Sequence, residues 1–220
     1  MKQRFGTRRE GPVDFVRAIK FPFDDEDWPI KIVVGTLLSF IPFFAQGYQV
    51  RVARNVIRGE RRPLPGTDRL GQIFTDGVMA TLALFIYFLP AALLTCLLLT
   101  PAMFTGEDEL GGLLVCLSSI CVVGFMVLYA IPATGMYTMG VIRYVETGNF
   151  SEFMRFGALW TEVRDNLSLL IMLLLYFVAL GVVVSVMGFT VILLPFLGFL
   201  YEVSSGHLIG QAGLEISRGY

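Results

Sequence analysis

Charge is what this chain lacks over long distances. Only 16% of its 220 residues are Asp, Glu, Lys or Arg, where a soluble domain carries about 25%. No charge falls within Ile32–Val50, Val78–Phe104, Leu110–Ile142 or Leu167–Tyr201. Alternation of polar and apolar residues is also missing from these runs, which excludes a transmembrane β-barrel. Histidine is scarce, with His207 alone, and with no nucleophile elbow beside it no hydrolase triad is expected. No P-loop, dinucleotide-binding fingerprint or nucleophile elbow is present. Cys96, Cys116 and Cys121 sit inside apolar runs without CxxC spacing, and read as small packing residues. A net charge of −1 provides no global field to recruit nucleic acid. Before Trp28 there is no apolar stretch of signal-peptide length, so no cleaved signal is expected. The expectation is a non-enzyme without cofactor or metal.

What is present is apolar length, with a mean hydropathy of +0.69. A helix of roughly 20 apolar residues spans a bilayer, so the expected fold class is all-α: a multi-pass helical bundle in the cell membrane. Five segments are expected. A1 covers about Trp28–Val50, B1 about Val78–Leu99 and A2 about Leu110–Ile142. The uncharged run Leu167–Tyr201 would be about 52 Å long as one helix, against a hydrocarbon core of about 30 Å. It must fold back, and Gly188 offers the break between B2 (about Leu167–Met187) and A3 (about Phe189–Gln211). Residues 1–27 form an N-terminal tail with an interfacial helix, 28–212 the membrane domain and 213–220 a C-terminal tail.

An internal repeat follows from sliding the chain on itself by 89 residues. Tyr48, Arg54, Gly59 and Asp76 fall on Tyr137, Arg143, Gly148 and Asp165. A shift of 153 sets Gly35, Pro42, Tyr48 and Arg54 on Gly188, Pro195, Tyr201 and His207. The chain reads A–B–A–B–A: repeat 1 at about 28–100, repeat 2 at about 110–187 and a closing helix at about 189–212.

Tyrosine favours the headgroup boundary, and an arginine one to two turns later lies beyond it. Tyr48, Tyr137 and Tyr201 are therefore expected at a membrane rim. Arg51, Arg54, Arg58, Arg61, Arg62 and Arg69 follow A1 against only Glu60 and Asp68. The positive-inside rule puts this loop in the cytoplasm. The acidic stretches Phe23–Trp28 and Gly106–Glu109 then lie outside. Against this, the N-terminal tail holds Lys2, Arg4, Arg8, Arg9, Arg17 and Lys20, which also prefer the cytoplasm. A spanning A1 is expected, with a re-entrant hairpin broken at Pro42 as the alternative. In the second connector, Asn149 and Glu152 resemble a capping box, and Phe153, Phe156, Trp160 and Val163 mark an interfacial amphipathic helix.

Acidic residues with a tryptophan (Asp24–Trp28), Gly47-Tyr48, the spaced Arg51 and Arg54, Gly59, and Leu64-Pro65 form one pattern. With it, about residues 20–212 resemble a family of bacterial and archaeal multi-pass membrane proteins known only as a domain of unknown function. The resemblance implies no reaction, substrate or cofactor.

The candidate binding residues are Arg51, Arg54, Arg58, Arg61, Arg62 and Arg143, facing lipid headgroups or a membrane or cytoplasmic partner protein. Each such arginine near an anionic leaflet contributes roughly 1 kcal/mol. The candidate rim or pathway residues are Tyr48, Tyr137, Tyr201, Glu202 and His207. Glu202 is expected to pair with Arg54 or Arg143, and His207 to be structural. A membrane scaffold that binds lipid or a partner is the first reading. A transporter for a small solute is the second, with Pro42, Pro132 and Pro195 marking broken helices. The oligomeric state is open.

Overall fold

Apolar sequence in a low-dielectric setting must satisfy its backbone internally, and helices do so. The computed structural model describes residues 13–66, 69–104, 109–188 and 193–218. The expectations placed on Lys2, Arg4, Arg8, Arg9, Asp68, residues 106–108 and residues 189–190 lie outside the described residues. Among the described residues there is no strand. The helices are α1 (Phe15–Lys20), α2 (Trp28–Leu38), α3 (Phe44–Ile57), α4 (Leu70–Phe104), α5 (Glu109–Thr147), α6 (Phe156–Asp165), α7 (Leu167–Met187) and α8 (Leu194–Arg218). Single 3₁₀ turns occupy Phe21–Phe23 and Phe150–Met154.

Three helices, α4, α5 and α7, are long and apolar enough to cross a membrane. α7 ends at Met187 and Gly188 is a turn, as the fold-back of that run requires. α4 has 35 residues and α5 has 39, about 52 and 58 Å at 1.5 Å per residue. Both exceed the roughly 30 Å hydrocarbon core, so each carries residues for a polar rim. Pro132 lies within α5, which continues through it.

The first expected segment is not one helix. α2 stops at Leu38, where Ser39 donates its hydroxyl to the Gly35 carbonyl at 2.8 Å. Pro42 disfavours helical backbone at Ile41 and supplies no N–H. Phe43 then adopts a left-handed φ of 79° before α3 begins. With 11 and 14 residues, α2 and α3 are about 16 and 21 Å long, each too short to cross. Arg62 lies 2.7 Å from Glu26 and 3.8 Å from Asp25. Groups this close share one side of any bilayer. The observed form is the hairpin broken at Pro42. Asp24–Trp28 therefore lie on the same side as the arginine loop, which corrects the spanning A1 and the outer placement of the acidic segment.

The fifth expected segment also differs. α8 carries Ser204, Ser205, Gly206 and His207 in its middle, all buried. It is an interior helix rather than a lipid-facing one, and is not among the three apolar spans. α3 runs parallel to it. Gln49 donates to Ser205 at 2.8 Å and Gln46 to Glu202 at 3.4 Å. A β-carbon at Gly206 would sit 2.3 Å from the Gln49 carbonyl oxygen, and one at Gly210 would sit 2.9 Å from that of Ala53. Gly206 and Gly210 are spaced as GxxxG, which lets backbones meet. α2 returns antiparallel along α8: a β-carbon at Gly35 would strike the Phe199 ring, and Phe21 stacks on His207 at 4.4 Å. The N-terminal segment is docked as well. Phe15 stacks on Tyr176 of α7 at 4.9 Å, and Ala18 and Phe21 are buried.

These contacts belong to one compact unit, Met1–Val78 with Ser168–Tyr220. A second unit, Met79–Leu167, is organised around Phe153. That ring is fully buried against Tyr137, Tyr144 and Phe150 and lies over Gly140. Tyr87 donates its hydroxyl to the Phe153 carbonyl at 2.7 Å. The units do not follow the repeat boundaries. Asn149 accepts from the Ser151 N–H at 3.3 Å, so it caps a 3₁₀ turn. α6 starts only at Phe156, which moves its buried face to Leu159 and Val163 and leaves Phe156 and Trp160 exposed.

Gly206→Leu should disrupt the α3–α8 seam, at about 1–3 kcal/mol or more for overpacking. A lower melting temperature of purified protein, with Gly71→Leu at an open position as the control, would show it. Equal melting of the two variants would contradict the seam.

Candidate anion-binding groove

Arg51, Arg54 and Arg58 recur on α3 at spacings of three and four, so they share one face. What that face meets is set by glycine. A β-carbon at Gly47 would lie 2.0 Å from the Ile73 carbonyl oxygen, and one at Gly77 would lie 1.9 Å from that of Phe43. The start of α4 therefore touches α3 backbone to backbone, and brings Asp76 under the arginines. Arg51 Nε lies 2.5 Å from Asp76 Oδ2, and Arg54 Nη1 lies 2.8 Å from the same oxygen. Arg54 Nη2 reaches Oδ1 at 3.4 Å. All three residues are buried. Burial lowers the Arg51 pKa, while the Asp76 charge opposes that shift.

Above this triad lies an open groove of about 770 Å³, lined by Arg51, Arg54, Arg58, Arg69, Gly71, Gln72, Thr75 and Asp76. Arg58 and Arg69 are exposed. Gly71 and Gln72 belong to the first turn of α4, where the helix dipole favours anions. The α3 end is closed off by its own cap. Gly59 has φ 71°, its N–H donates to the Val56 carbonyl, and the Glu60 N–H donates to that of Asn55. This is a Schellman arrangement, which satisfies the terminal carbonyls that would otherwise oppose an anion.

The other expected site residues are elsewhere. Arg61 is exposed, and Arg62 is engaged by Glu26 and Asp25. Arg143, in the second unit, is held by Glu162 and lies 3.4 Å from Glu152. Glu152 also meets Arg155 at 3.2 Å. Asp165, the repeat mate of Asp76, is exposed, and Glu162, about one turn earlier on α6, takes the arginine instead. Tyr48 and Tyr137 are buried rings rather than surface anchors; Tyr48 packs on Phe199 and Tyr137 on Phe153. Tyr201 is half-buried. Glu202 meets Gln46, not Arg54 or Arg143.

His207 is buried on α8. Gln211 donates one amide hydrogen to His207 Nδ1 at 2.8 Å and another to the Asp14 carbonyl at 3.0 Å, and accepts the Asp14 N–H at 2.5 Å. Burial, then the Arg17 charge, hold the imidazole at about 4, with Asp14 acting in the opposite sense.

Asp76, Arg69 and Gln72 were not legible as site residues, because nothing local in the sequence pairs them with α3. The signal for the seam was available in "GHLIG", Gly206–Gly210.

The site and fold define a class: an all-α protein with three helices long and apolar enough for a membrane and a buried arginine–aspartate cluster. The chain belongs to the family described as "Protein of unknown function (DUF4013)", whose pattern matches residues 34–196. Gly47-Tyr48, Arg51, Arg54, Gly59 and Leu64-Pro65 fall inside that match, and Asp24–Trp28 precede it. No curated protein and no solved structure matches the chain.

His207 generates a pH prediction. Its pKa is about 4 when folded and about 6.5 when unfolded. Above 6.5 both states are neutral and the full stability is present. As pH falls from 6.5 to 4 the unfolded state binds the proton first, and up to about 3 kcal/mol is lost. Melting curves of the detergent-solubilised protein should fall over this window. His207→Asn should show a flatter dependence; identical slopes would contradict the assignment.

Proposed function

We propose that the protein is a multi-pass membrane scaffold whose arginine groove takes the phosphate groups of anionic lipid headgroups. The observation that carries this reading is the groove's lining, four arginines against one aspartate, placed where the apolar stretch of α4 begins at Leu70. α4, α5 and α7 cross the bilayer. Leu93, Leu97, Leu128 and Leu175 are exposed on these helices, as lipid contact requires. The α2–α3 hairpin dips in from the arginine side, with Phe40 and Ile41 exposed at its tip. By the positive-inside rule that side is the cytoplasm. The groove supersedes Arg61, Arg62 and Arg143 as the binding locus. The chain also contains a duplicated unit in this reading. Support comes from Gly59 and Gly148, 89 residues apart, with φ of 71° and 73° after helix ends. Arg54 and Arg143 each meeting a carboxylate adds to it.

Topology is tested in a background with Cys96, Cys116 and Cys121 replaced by alanine. Glu26→Cys and Arg62→Cys, introduced singly, should both resist an impermeant thiol reagent in intact cells and both react after permeabilisation. Opposite accessibility would overturn the hairpin.

Headgroup binding is tested by titrating purified protein with phosphatidylglycerol nanodiscs at two salt concentrations. Wild type should bind more weakly at high salt, since exposed charge is screened. Arg58→Gln with Arg69→Gln should weaken binding by about thirtyfold at low salt, at roughly 1 kcal/mol per arginine. Equal binding of wild type and variant would overturn the reading.

A further inference from the structure

We infer that the N-terminal segment, residues 13–23, is a latch docked on α8, and that a proton on His207 releases it. The device is independent of the headgroup reading.

α1 has six residues, too few to persist in water as a helix on its own. Docking is what orders it. Val13, Ala18 and Phe21 are buried, Phe15 stacks on Tyr176 of α7, and Phe21 stacks on His207 at 4.4 Å.

One side chain clamps the start of the segment. Gln211 Oε1 accepts the Asp14 N–H at 2.5 Å, and Gln211 Nε2 donates to the Asp14 carbonyl at 3.0 Å. A backbone N–H only donates and a carbonyl only accepts, so the Gln211 amide faces Asp14 one way round. Its other hydrogen is left for His207 Nδ1, 2.8 Å away. Nδ1 is therefore the acceptor, and the neutral ring carries its hydrogen on Nε2. A proton on Nδ1 sets N–H against N–H. Turning the amide over would satisfy the imidazolium, but would put Nε2 against the Asp14 N–H and Oε1 against the Asp14 carbonyl. Either way a contact in the clamp turns repulsive, so the docked segment and the protonated ring oppose each other.

The charged groups around the ring come from several elements. A cavity of about 30 Å³ beside it, the room of one water, is lined by Arg17 of α1, Asp24 and Asp25 after Phe23, and Arg61 and Arg62 of the first connector. Asp25 is engaged by Lys31 of α2 and by Arg62. The Asp14 carboxylate accepts the Arg17 N–H at 2.9 Å. On α3, packed along α8, Arg51 and Arg54 are held on Asp76. Burial, then the Arg17 charge, keep the proton off the ring, with Asp14 opposing.

Docked, His207 takes its proton at about 4. With the segment off the ring that value moves toward the ordinary one of about 6.5. Above 6.5 the ring is neutral in both forms and pH does not act on the latch. As pH falls below 6.5 the undocked form gains the proton first. Docking then weakens about tenfold for each pH step down to 4, by up to about 300-fold in all. Undocking of this short segment is enough for proton uptake, and the α3–α8 seam stays closed.

The test is hydrogen exchange with mass spectrometry on the full chain in detergent, at about pH 7.5 and about pH 5, corrected for the intrinsic exchange rate at each pH. Protection over residues 14–23 should fall at the lower pH, by up to about thirtyfold, while residues 48–56 of α3 keep theirs. His207→Asn puts an amide oxygen near the place of Nδ1 and takes no proton, so its protection should be equal at both pH values. Gln211→Glu accepts from an imidazolium but cannot donate to Asp14 or to the neutral ring, so its protection over 14–23 should be higher at pH 5 than at pH 7.5. Unchanged protection of wild type, or an equal fall in wild type and His207→Asn, would overturn the latch. So would loss of protection over 14–23 and 48–56 together, since the whole fold would then be opening. Should His207→Asn leave the segment unprotected at both pH values, Gln211→Glu decides: a fall at pH 5 matching that of wild type would overturn the inference.

Discussion

Two guanidiniums buried beside one carboxylate need close approach of the helices that carry them. Asp76 can meet Arg51 and Arg54 only because α4 enters against α3 with glycine on both sides of the contact, Gly47 and Gly77. A side chain at either position would push the helices apart and leave charges in a dry site, where an unpaired ion is strongly unfavourable. The triad in turn fixes the direction of the α3 arginine face, and so the position of the groove. Packing of small residues and placement of charge are here one constraint.

The hairpin answers to the same logic. A residue with a bulky ring at φ 79°, as Phe43 has, costs about 1–3 kcal/mol and persists only when the surroundings hold it. Here they do: its carbonyl lies under Gly77, and its ring packs edge-on to Phe74 at 6.0 Å. Below the break, α3 and α8 run parallel and share a glycine–serine seam. The polar atoms of that seam pair across it, Gln49 with Ser205 and Gln46 with Glu202. The seam keeps polar groups inside the protein while apolar residues such as Phe40 and Ile41 remain outside.

The second unit solves a related problem by different means. Its arginine is met by two glutamates where the first unit sets two arginines on one aspartate, and Phe153 fills its core. The shared features are local: a tyrosine packed on a phenylalanine, an arginine met by an acid, and a left-handed glycine ending a helix. The connectors make the difference, since one ends in a proline-rich break and the other in an amphipathic helix.

The sequence by itself determined the all-α class, the long apolar helices α4, α5 and α7 among the five segments expected, the fold-back at Gly188 and the arginine-rich stretch after α3. These follow from composition and local backbone chemistry, which need no distant partner. It left A1 open between a span and a hairpin, because proline fixes a break but not the direction taken afterwards. That direction was decided by contacts between residues far apart in the chain, Arg62 with Glu26 and Phe199 with Gly35. The arginine face was legible from its three- and four-residue spacing. That Arg51 and Arg54 are buried on Asp76, while Arg58 stays exposed, was not. Burial depends on which helix lies opposite, and a charge looks the same in sequence whether it faces water, lipid phosphate or a carboxylate brought in by the fold.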